Sequence, residues 1–227
     1  ESILNQTYDK WELILCDDCS TDNTYSVAQE YAQKDSRIKL LRNTENTGCN
    51  IVLNRCIAAA KGLYIAIMDS ADGSLPCRLA SEAAFLDTHP QYALVACAAT
   101  FFDEQGDFGI LRKKETPCIK DFAYSIPHLH ATCMIRRDAL TAIGCYGSHP
   151  HMKRVEDYYM LARLYAAGYR GYNLPETLYR ICDNAASYKR RTWHNRMNEV
   201  YTFRAAHKLL RLPFYSRIAL LRPILVG

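Results

Sequence analysis

The chain has 227 residues, the length of one large domain or of one domain with an appendage. A net charge of +4, from 28 basic and 24 acidic residues, is too close to neutrality to indicate nucleic acid as the partner. The longest nearly apolar run, residues 92–102, is well short of the roughly 18 to 20 residues of a transmembrane helix, and the first residues lack the basic and apolar pattern of a secretory peptide.

Ten cysteines are spread over the whole chain, from Cys16 to Cys182. Disulfide frameworks belong mainly to short secreted chains that lack a core, and this chain is long enough to have one. Cys16 and Cys19 form a CxxC, but a structural zinc site needs four ligands, and no second Cys pair or close His pair follows. We therefore expect reduced, mostly buried thiols in a cytoplasmic protein.

Strands and helices alternate through the first hundred residues. Strands are predicted at 11–16, 38–41, 64–68 and 92–98, with helices from 22, from about 51 to Gly62, and from 76 to 88. Strands that alternate with helices of ten or more residues predict an α/β fold, with a mostly parallel sheet and helices on both faces.

The alternation changes after Phe102, where Gly106 and Gly109 interrupt short segments. The predicted elements are a strand at 132–136, a long helix at 156–167, strands at 172–174 and 178–181, and a last helix at 194–210. Prolines at 213 and 223 interrupt the segment after that helix.

The charge is divided unevenly along the chain. From Lys189 onward there are nine basic residues and one acid, which gives +8, and the remaining 19 basic and 23 acidic residues give residues 1–188 a charge of −4. The chain therefore consists of an acidic part and a basic tail.

Carboxylates follow two of the predicted strands. Asp17 and Asp18 end the first, and Asp69 with Asp72 follows the third. Ligands of open parallel sheets bind beyond the carboxyl ends of the strands, and Mg²⁺ and Mn²⁺ prefer oxygen ligands that they share with phosphates. Residue patterns alone leave a plainer alternative, in which Asp72 shapes a turn and the acids at 156–157 complement the dipole of a helix.

Four stretches together resemble the family 2 inverting glycosyltransferases of the GT-A fold, in matching order and spacing from residue 1 to about 187. They are QTYDKWELILCDDCSTDNT, NTENTGCNIVLNRCIAAAKGLYIAIMDSADGSLPCRL, HATCMIRRDALTAIGCYG and VEDYYMLARLYAAGYRGYNLPETLYRICDN. The resemblance implies a Rossmann-like GT-A domain over residues 1–187, followed by a basic helical tail over 188–227.

The resemblance also implies roles for the acidic residues. Asp17 and Asp18 would bind the nucleoside of a UDP- or GDP-sugar donor, and Asp69 would begin a metal motif, with Asp72, for a Mn²⁺ or Mg²⁺ ion on the diphosphate. Asp157 would be the general base that deprotonates a hydroxyl of a glycan or lipid-linked acceptor. The implied activity is sugar transfer with inversion, in cell-surface polysaccharide synthesis.

Secondary positions on the acceptor side are implied as well, and they are Glu156, His130, Arg180 and Cys182. For His130 the alternative is simple packing at the start of a strand.

The sequence departs from the family pattern in its metal motif. The usual Asp-x-Asp-Asp is replaced by Asp69-Ser70-Ala71-Asp72, and Cys182 stands where the family often has a histidine. A thiol matches a hard cation poorly. The alternative function is therefore a catalytically impaired relative that binds nucleotide or a partner without turnover.

Further departures concern glycines and the first strand. Cysteine stands where the family often has glycine, at positions 19, 56, 97 and 145, and at Cys19 glycine would permit a positive φ. The family begins with an apolar strand that precedes the region matched by residue 1, so we expect a domain truncated at its amino end.

The basic tail has three interpretations. It is a solvated helix folded back on the acidic domain, a segment that binds the cytoplasmic face of a membrane, or a nucleic-acid contact. Arg211, Arg217 and Arg222 among apolar residues favour the membrane over nucleic acid, for which no known module is present.

Overall fold

The structure is a computed structural model that describes residues 1–147, 155–183 and 193–213, the side chains of 194–196 excepted. The strands are β1 (Leu13–Asp17), β2 (Ile38–Arg42), β3 (Tyr64–Ala66), β4 (Gly73–Ser74), β5 (Leu94–Asp103), β6 (Gly106–Leu111), β7 (Met134–Arg136) and β8 (Gly171–Cys182). The helices are α1 (Thr24–Lys34), α2 (Cys49–Ala59), α3 (Arg78–Thr88), α4 (Arg137–Ala142), α5 (Glu156–Ala166) and α6 (Trp193–Leu209).

The strands form two sheets. β1 and β2 make a parallel pair, and the other strands form a six-stranded sheet in the order β3, β7, β5, β8, β4, with β6 paired to β5. β5 and β8 run side by side in parallel through the middle of this sheet. The two closing strands predicted near the end of the large domain are therefore one long strand, β8, whose pairing with β5 is irregular near Ala98.

The prediction of mostly parallel pairing is wrong for the larger sheet. In the described part of the chain, β3, β4, β6 and β7 all pair antiparallel, and only β5 with β8 is parallel within that sheet. The cause at β6 is its connection, because a two-residue turn after Asp103 returns the chain directly along β5. Parallel neighbours need a crossover of a dozen or more residues.

Helices cover both faces of the larger sheet, as the sequence predicts. On one face Leu79 and Leu86 of α3 pack with Val95, and on the other face Leu161 of α5 packs in the cluster that contains Leu94. Neighbouring residues of β5 therefore point into different apolar clusters, which is why that strand reads as a continuous apolar run.

The last helix, α6, packs against α5. The rings of Tyr158 and Phe203 lie 4.5 Å apart between centroids, and Ala206 is buried in the same apolar cluster as α5. Residues 188–192 and 214–227 of the predicted tail lie outside the described residues, and the division at 187 stays a prediction. No helix in the described segments has the length and apolar character needed to cross a bilayer.

Two of the cysteines that replace family glycines hold a left-handed backbone. Cys19 has φ 63° and Cys145 has φ 55°. The left-handed conformation that favours glycine is therefore present at both positions, although it is sterically unfavourable for a residue with a side chain. All ten cysteines are free thiols, but only Cys97 and Cys133 are buried, so the expectation of mostly buried thiols is wrong.

Candidate active site

Asp18 follows β1 and fastens the loop that leads from β2 into α2. One carboxylate oxygen accepts hydrogen bonds from Asn43 Nδ2 at 2.7 Å and from Thr47 N and Oγ1 at 2.9 Å, and the other accepts one from Gly48 N at 2.9 Å. Burial opposes ionisation of Asp18, but these bonds outweigh it and lower its pKa below the ordinary 3.8. Asp18 is thus an anchor for the loop of residues 43–48.

Asp17 is the buried last residue of β1. Its carboxylate forms an ion pair with Arg42 Nε at 3.2 Å and accepts the backbone N–H of Ser20 at 3.3 Å. The Arg42 guanidinium lies 4.1 Å from the ring centre of Tyr25. The predicted donor-binding pair is therefore surrounded by hydrogen-bond donors and an aromatic ring at the carboxyl end of β1.

Asp69 and Asp72 form a tight turn beyond β3 that is attached to β8. Asp72 N donates to Asp69 O at 3.2 Å, and Asp69 N donates to the hydroxyl of Tyr179 at 3.1 Å. One oxygen of Asp72 accepts the N–H of Cys182 at 2.8 Å. Burial raises the pKa of Asp72 above 3.8, although hydrogen bonds from Cys182 and Tyr179 act against the rise.

Asp157 lies in the first turn of α5, where its carboxylate accepts the N–H of Tyr158 at 2.7 Å. Burial, supplemented by the negative charge of Asp69, raises the pKa of Asp157 to about 6, while backbone hydrogen bonds oppose the rise. A carboxyl group with such a pKa is mostly ionised at pH 7 and still basic enough to accept a proton. The value of about 6 suits a general base.

Residues from distant parts of the chain meet around these carboxylates. Burial lowers the pKa of His130 below 6.5, while the charges of Asp69 and Glu156 act to raise it. Desolvation and then the charges of Glu156 and Asp69 raise the pKa of the Cys49 thiol to about 12. One oxygen of Glu156 is buried without a hydrogen-bond partner. The site therefore combines the ends of β3, α2 and α5 with the turn at His130.

Three residues at the site, Tyr146, Asn54 and Cys49, carry no signal that the sequence interpretation used. Tyr146 is buried, and its hydroxyl lies 2.6 Å from His130 Nε2, with the two rings edge to face. Asn54 of α2 holds the backbone of Tyr146 through two hydrogen bonds of 2.9 Å. Cys49, the first residue of α2, looks like an ordinary helix residue in the sequence.

The positions on β8 lie somewhat apart from this centre. The Arg180 guanidinium forms an ion pair with Asp107 of β6 and lies 4.5 Å from the ring centre of Phe102. Cys182 contributes its backbone N–H to Asp72. Arg180 thus fastens the β5–β6 hairpin to the end of the sheet that carries the site.

The acidic residues fit a cation that is shared with phosphate. Residues 1–147, 155–183 and 193–213 contain no group of three His, Cys, Asp or Glu side chains arranged to hold a metal ion. Magnesium sites for nucleotides commonly use one or two carboxylates and leave the other positions to water and phosphate oxygens. Asp69 fits that role, whereas Asp72 holds Cys182 with one oxygen and Ala71 offers none.

The chain is similar to known glycosyltransferases. A family model described as "Glycosyl transferase family 2" matches residues 1–144. The putative glycosyltransferase EpsE of Bacillus subtilis is 37% identical over 229 residues, covering 99% of this chain and 81% of that protein. The putative teichuronic acid biosynthesis glycosyltransferase TuaG of the same organism is 28% identical, covering 82% of this chain and 73% of the relative.

A third relative has a name that specifies its reaction. It is the UDP-Glc:alpha-D-GlcNAc-diphosphoundecaprenol beta-1,3-glucosyltransferase WfaP of Escherichia coli, 27% identical, with 95% of this chain and 85% of the relative covered.

Solved structures share the fold. S. aureus TarS 1-349 in complex with UDP-GlcNAc superposes with a TM-score of 0.77 at 17% identity, over 98% of this chain and 66% of that one. Mannosyltransferase PcManGT from Pyrobaculum calidifontis, in complex with GDP-Man and Mn²⁺, gives 0.66 at 20% identity, over 99% and 68%. The chain thus spans about two thirds of the length of these structures, and the GT-A fold predicted from the sequence is confirmed.

Proposed function

The chain belongs to glycosyl transferase family 2, and we propose that it transfers a sugar from a nucleotide-sugar donor to a glycan or lipid-linked acceptor with inversion. The names of TuaG and WfaP, which refer to teichuronic acid biosynthesis and to GlcNAc-diphosphoundecaprenol, support a role in cell-surface polysaccharide synthesis. The use of a nucleotide sugar favours the cytoplasmic side of the membrane.

The observation that carries the proposal is that Asp157, in the first turn of α5, lies close enough to Asp69 for the charge of Asp69 to affect its pKa. The two residues are far apart in the sequence, but the charge of Asp69 helps to raise the pKa of Asp157 to about 6. Asp69 lies just beyond β3, and Asp157 lies in the first turn of α5. This arrangement suits a displacement that needs a base on one side and a neutralised leaving group on the other.

In the proposed reaction Asp157 takes the proton of the acceptor hydroxyl. The acceptor oxygen forms a bond to the anomeric carbon as the bond from that carbon to the diphosphate oxygen breaks, and the electron pair leaves with the nucleoside diphosphate. A single in-line displacement inverts the anomeric centre. Glu156, which precedes Asp157, and His130, on which the charges of Asp69 and Glu156 act, are proposed to contact the acceptor.

On the donor side, Asp69 is proposed to hold a Mn²⁺ or Mg²⁺ ion together with the diphosphate. The cation, when bound, would neutralise the charge that develops on the leaving group. Asp17 and Asp18 are proposed to act on the nucleoside by shaping the loop of residues 43–48, since the carboxylate of Asp18 is already held by four hydrogen bonds.

The rival function is a relative that binds nucleotide without turnover, and it is favoured by Ala71 in the metal motif. Calorimetric titration with UDP and GDP, with and without Mn²⁺, separates the two. We expect binding that depends on Mn²⁺ and that Asp69→Ala removes. The control is Asp138→Ala, which replaces an exposed helix carboxylate and should bind like the wild type. Binding that Mn²⁺ does not affect would favour the rival.

An exposed face of α6 supports contact with the membrane. Trp193, Met197 and Tyr201 follow one another at four-residue spacing with exposed fractions of 63%, 46% and 41%, and Arg204 and Lys208 are exposed on the same face. Indole and phenol rings favour the bilayer interface, and basic residues are attracted to anionic lipid. We propose that this face lies on an anionic membrane.

Vesicle sedimentation tests the membrane contact. Trp193→Ser/Met197→Ser should reduce binding to phosphatidylglycerol vesicles, whereas Leu63→Ser, which removes an apolar side chain of 76% exposure elsewhere, should not. Equal binding by the double variant and the wild type would remove α6 from this role.

A further inference from the structure

An ion pair is fully buried beneath the turn that carries Asp69. Arg78 and Glu82 are one helical turn apart in α3, neither side chain is exposed to solvent, and Arg78 Nε lies 3.2 Å from Glu82 Oε1. Charged residues are almost never fully buried in a protein core unless they are paired. The pair occupies space between α3 and the sheet that apolar side chains normally fill.

Arg78 connects this pair to the polypeptide just before the turn. Its Nη2 donates a hydrogen bond to the carbonyl oxygen of Ile67 at 3.0 Å. Its guanidinium also lies 4.8 Å from the ring centre of Tyr179, a distance at which the cation is attracted to the ring. Arg78 therefore holds both β8 and the segment that leads into Asp69.

Tyr179 completes the connection from the other side. Its side chain is fully buried, and its hydroxyl accepts the backbone N–H of Asp69 at 3.1 Å. The backbone of β4 also pairs with β8 next to this ring, Ser74 with Tyr179. The hydroxyl group thus fixes the first residue of the turn, and the backbone pairing of β4 with β8 holds the segment that follows it.

The stability of the fold does not explain the buried pair. Arg78 Nη1 and Glu82 Oε2 are both buried without hydrogen-bond partners, so the charges are incompletely compensated. Well-packed apolar side chains in place of a buried ion pair are often neutral for stability or improve it. Burial of this pair is unfavourable, and Arg78 contacts the backbone just before the turn at Ile67. The pair is therefore better explained by a role in positioning that turn.

We propose that Arg78, Glu82 and Tyr179 are positioning residues that hold the Asp69–Asp72 turn in the conformation that presents Asp69 to the donor. The proposal rests on the donor role of Asp69 proposed above. Tyr179 fixes the turn directly, Arg78 fixes Tyr179 and the carbonyl of Ile67, and Glu82 keeps the guanidinium in place. Asp69 is thereby preorganised, because the turn does not have to be ordered when the donor binds.

The main test is Tyr179→Phe, which removes one hydroxyl group and keeps the ring. The matched control is Tyr165→Phe, whose hydroxyl is also buried and hydrogen-bonded, to His128 at 2.8 Å, but lies outside the site. Both variants lose a buried hydrogen bond, so both should be somewhat less stable. Only Tyr179→Phe should weaken donor binding in the presence of Mn²⁺, by about fivefold, the value of one lost hydrogen bond.

Amide hydrogen exchange provides a readout that does not depend on a donor. Tyr179→Phe should speed exchange at Asp69 and Asp72 by about fivefold relative to Tyr165→Phe, because the N–H of Asp69 loses its acceptor. A second variant, Arg78→Met/Glu82→Leu, removes the ion pair and refills its space. It should fold normally and show the same weakened donor binding and the same faster exchange.

The outcomes separate this inference from the proposed function. If the wild type binds no UDP or GDP in the presence of Mn²⁺, the proposed function is wrong, and the donor part of this inference is wrong with it. If the wild type binds but Tyr179→Phe and the double variant bind equally well and keep wild-type exchange at Asp69, the positioning role is refuted and the function stands.

Discussion

Replacement of Asp157 by asparagine should stabilise the protein while it abolishes transfer. The carboxylate is held in a place that disfavours its charge, since burial and the charge of Asp69 raise its pKa from 3.8 to about 6. Asparagine is nearly the same size and still accepts the hydrogen bond from Tyr158 N. The substitution therefore removes the charge and little else.

The size of the effect follows from the pKa. A rise of about two pKa units at about 1.4 kcal/mol each means that ionised Asp157 costs the folded state about 3 kcal/mol at pH 7. Because the pKa is higher in the folded state, the contribution of Asp157 to stability is greatest below pH 4 and is lost as the pH rises through 6. Asp157→Asn should match the wild type near pH 4 and exceed it by up to about 3 kcal/mol at pH 7.

Urea unfolding between pH 4 and pH 8 measures this difference. The matched control is Asp138→Asn, because Asp138 also lies in a first helical turn and accepts the following N–H, from Ala139 at 2.7 Å, but is exposed. The control should show no gain that grows with pH. The reasoning is refuted if Asp157→Asn is no more stable than the wild type at pH 7, or if its advantage does not shrink toward pH 4.

The same variant should lose transfer and keep donor binding. General bases typically contribute about 10² to 10⁴ in rate, so the loss should be at least about a hundredfold. In the wild type, the rate should rise with pH through about 6 and level off, since Asp157 must be ionised to act. A rate that falls over this range would contradict the role of Asp157.

Three further predictions follow from the backbone and the charges. Cys19→Gly should raise the free energy of unfolding by about 0.5 to 1 kcal/mol, because φ is 63° there, whereas Cys118→Gly, at φ −124°, should lower it in the same urea titration. Ala71→Asp should tighten Mn²⁺ binding in calorimetry, since residue 71 is exposed and gains a carboxylate at no burial cost; unchanged affinity would place the cation elsewhere. Arg78→Met alone should lower the free energy of unfolding by about 3 to 5 kcal/mol, because it leaves Glu82 buried and unpaired. A much smaller loss would mean that other groups already compensate the charge of Glu82.

Apolar patterning predicted the elements better than their pairing. The runs that become β1, β2, β3 and β5 are short, apolar and bounded by polar turns, and they appear close to their predicted positions. The direction of β6 depends on a two-residue turn, and that of β7 depends on the irregular connection over 112–133, and periodicity encodes neither. The alternation of strands and helices in the first half of the chain therefore predicted more parallel pairing than the larger sheet has.

The acids of the site were predictable, and their supporting contacts were not. Asp69 and Asp157 stand at ends of elements, which is where a sequence pattern directs attention. The four bonds of Asp18 come from residues 43–48, so only the folded loop shows that its carboxylate is occupied. Arg78 looks like a surface residue at a helix start, and its burial depends on Tyr179, about a hundred residues away.

Transfer itself, with the configuration of the product, tests the central claim most directly. The wild type and Asp157→Asn would be incubated with Mn²⁺, UDP- and GDP-sugars and a GlcNAc-diphospho-lipid acceptor, and proton NMR would assign the new linkage. We expect the wild type to form a product whose anomeric configuration is opposite to that of the donor, and Asp157→Asn to bind donor without forming it. A product with the donor's configuration, or equal transfer by Asp157→Asn, would contradict the account.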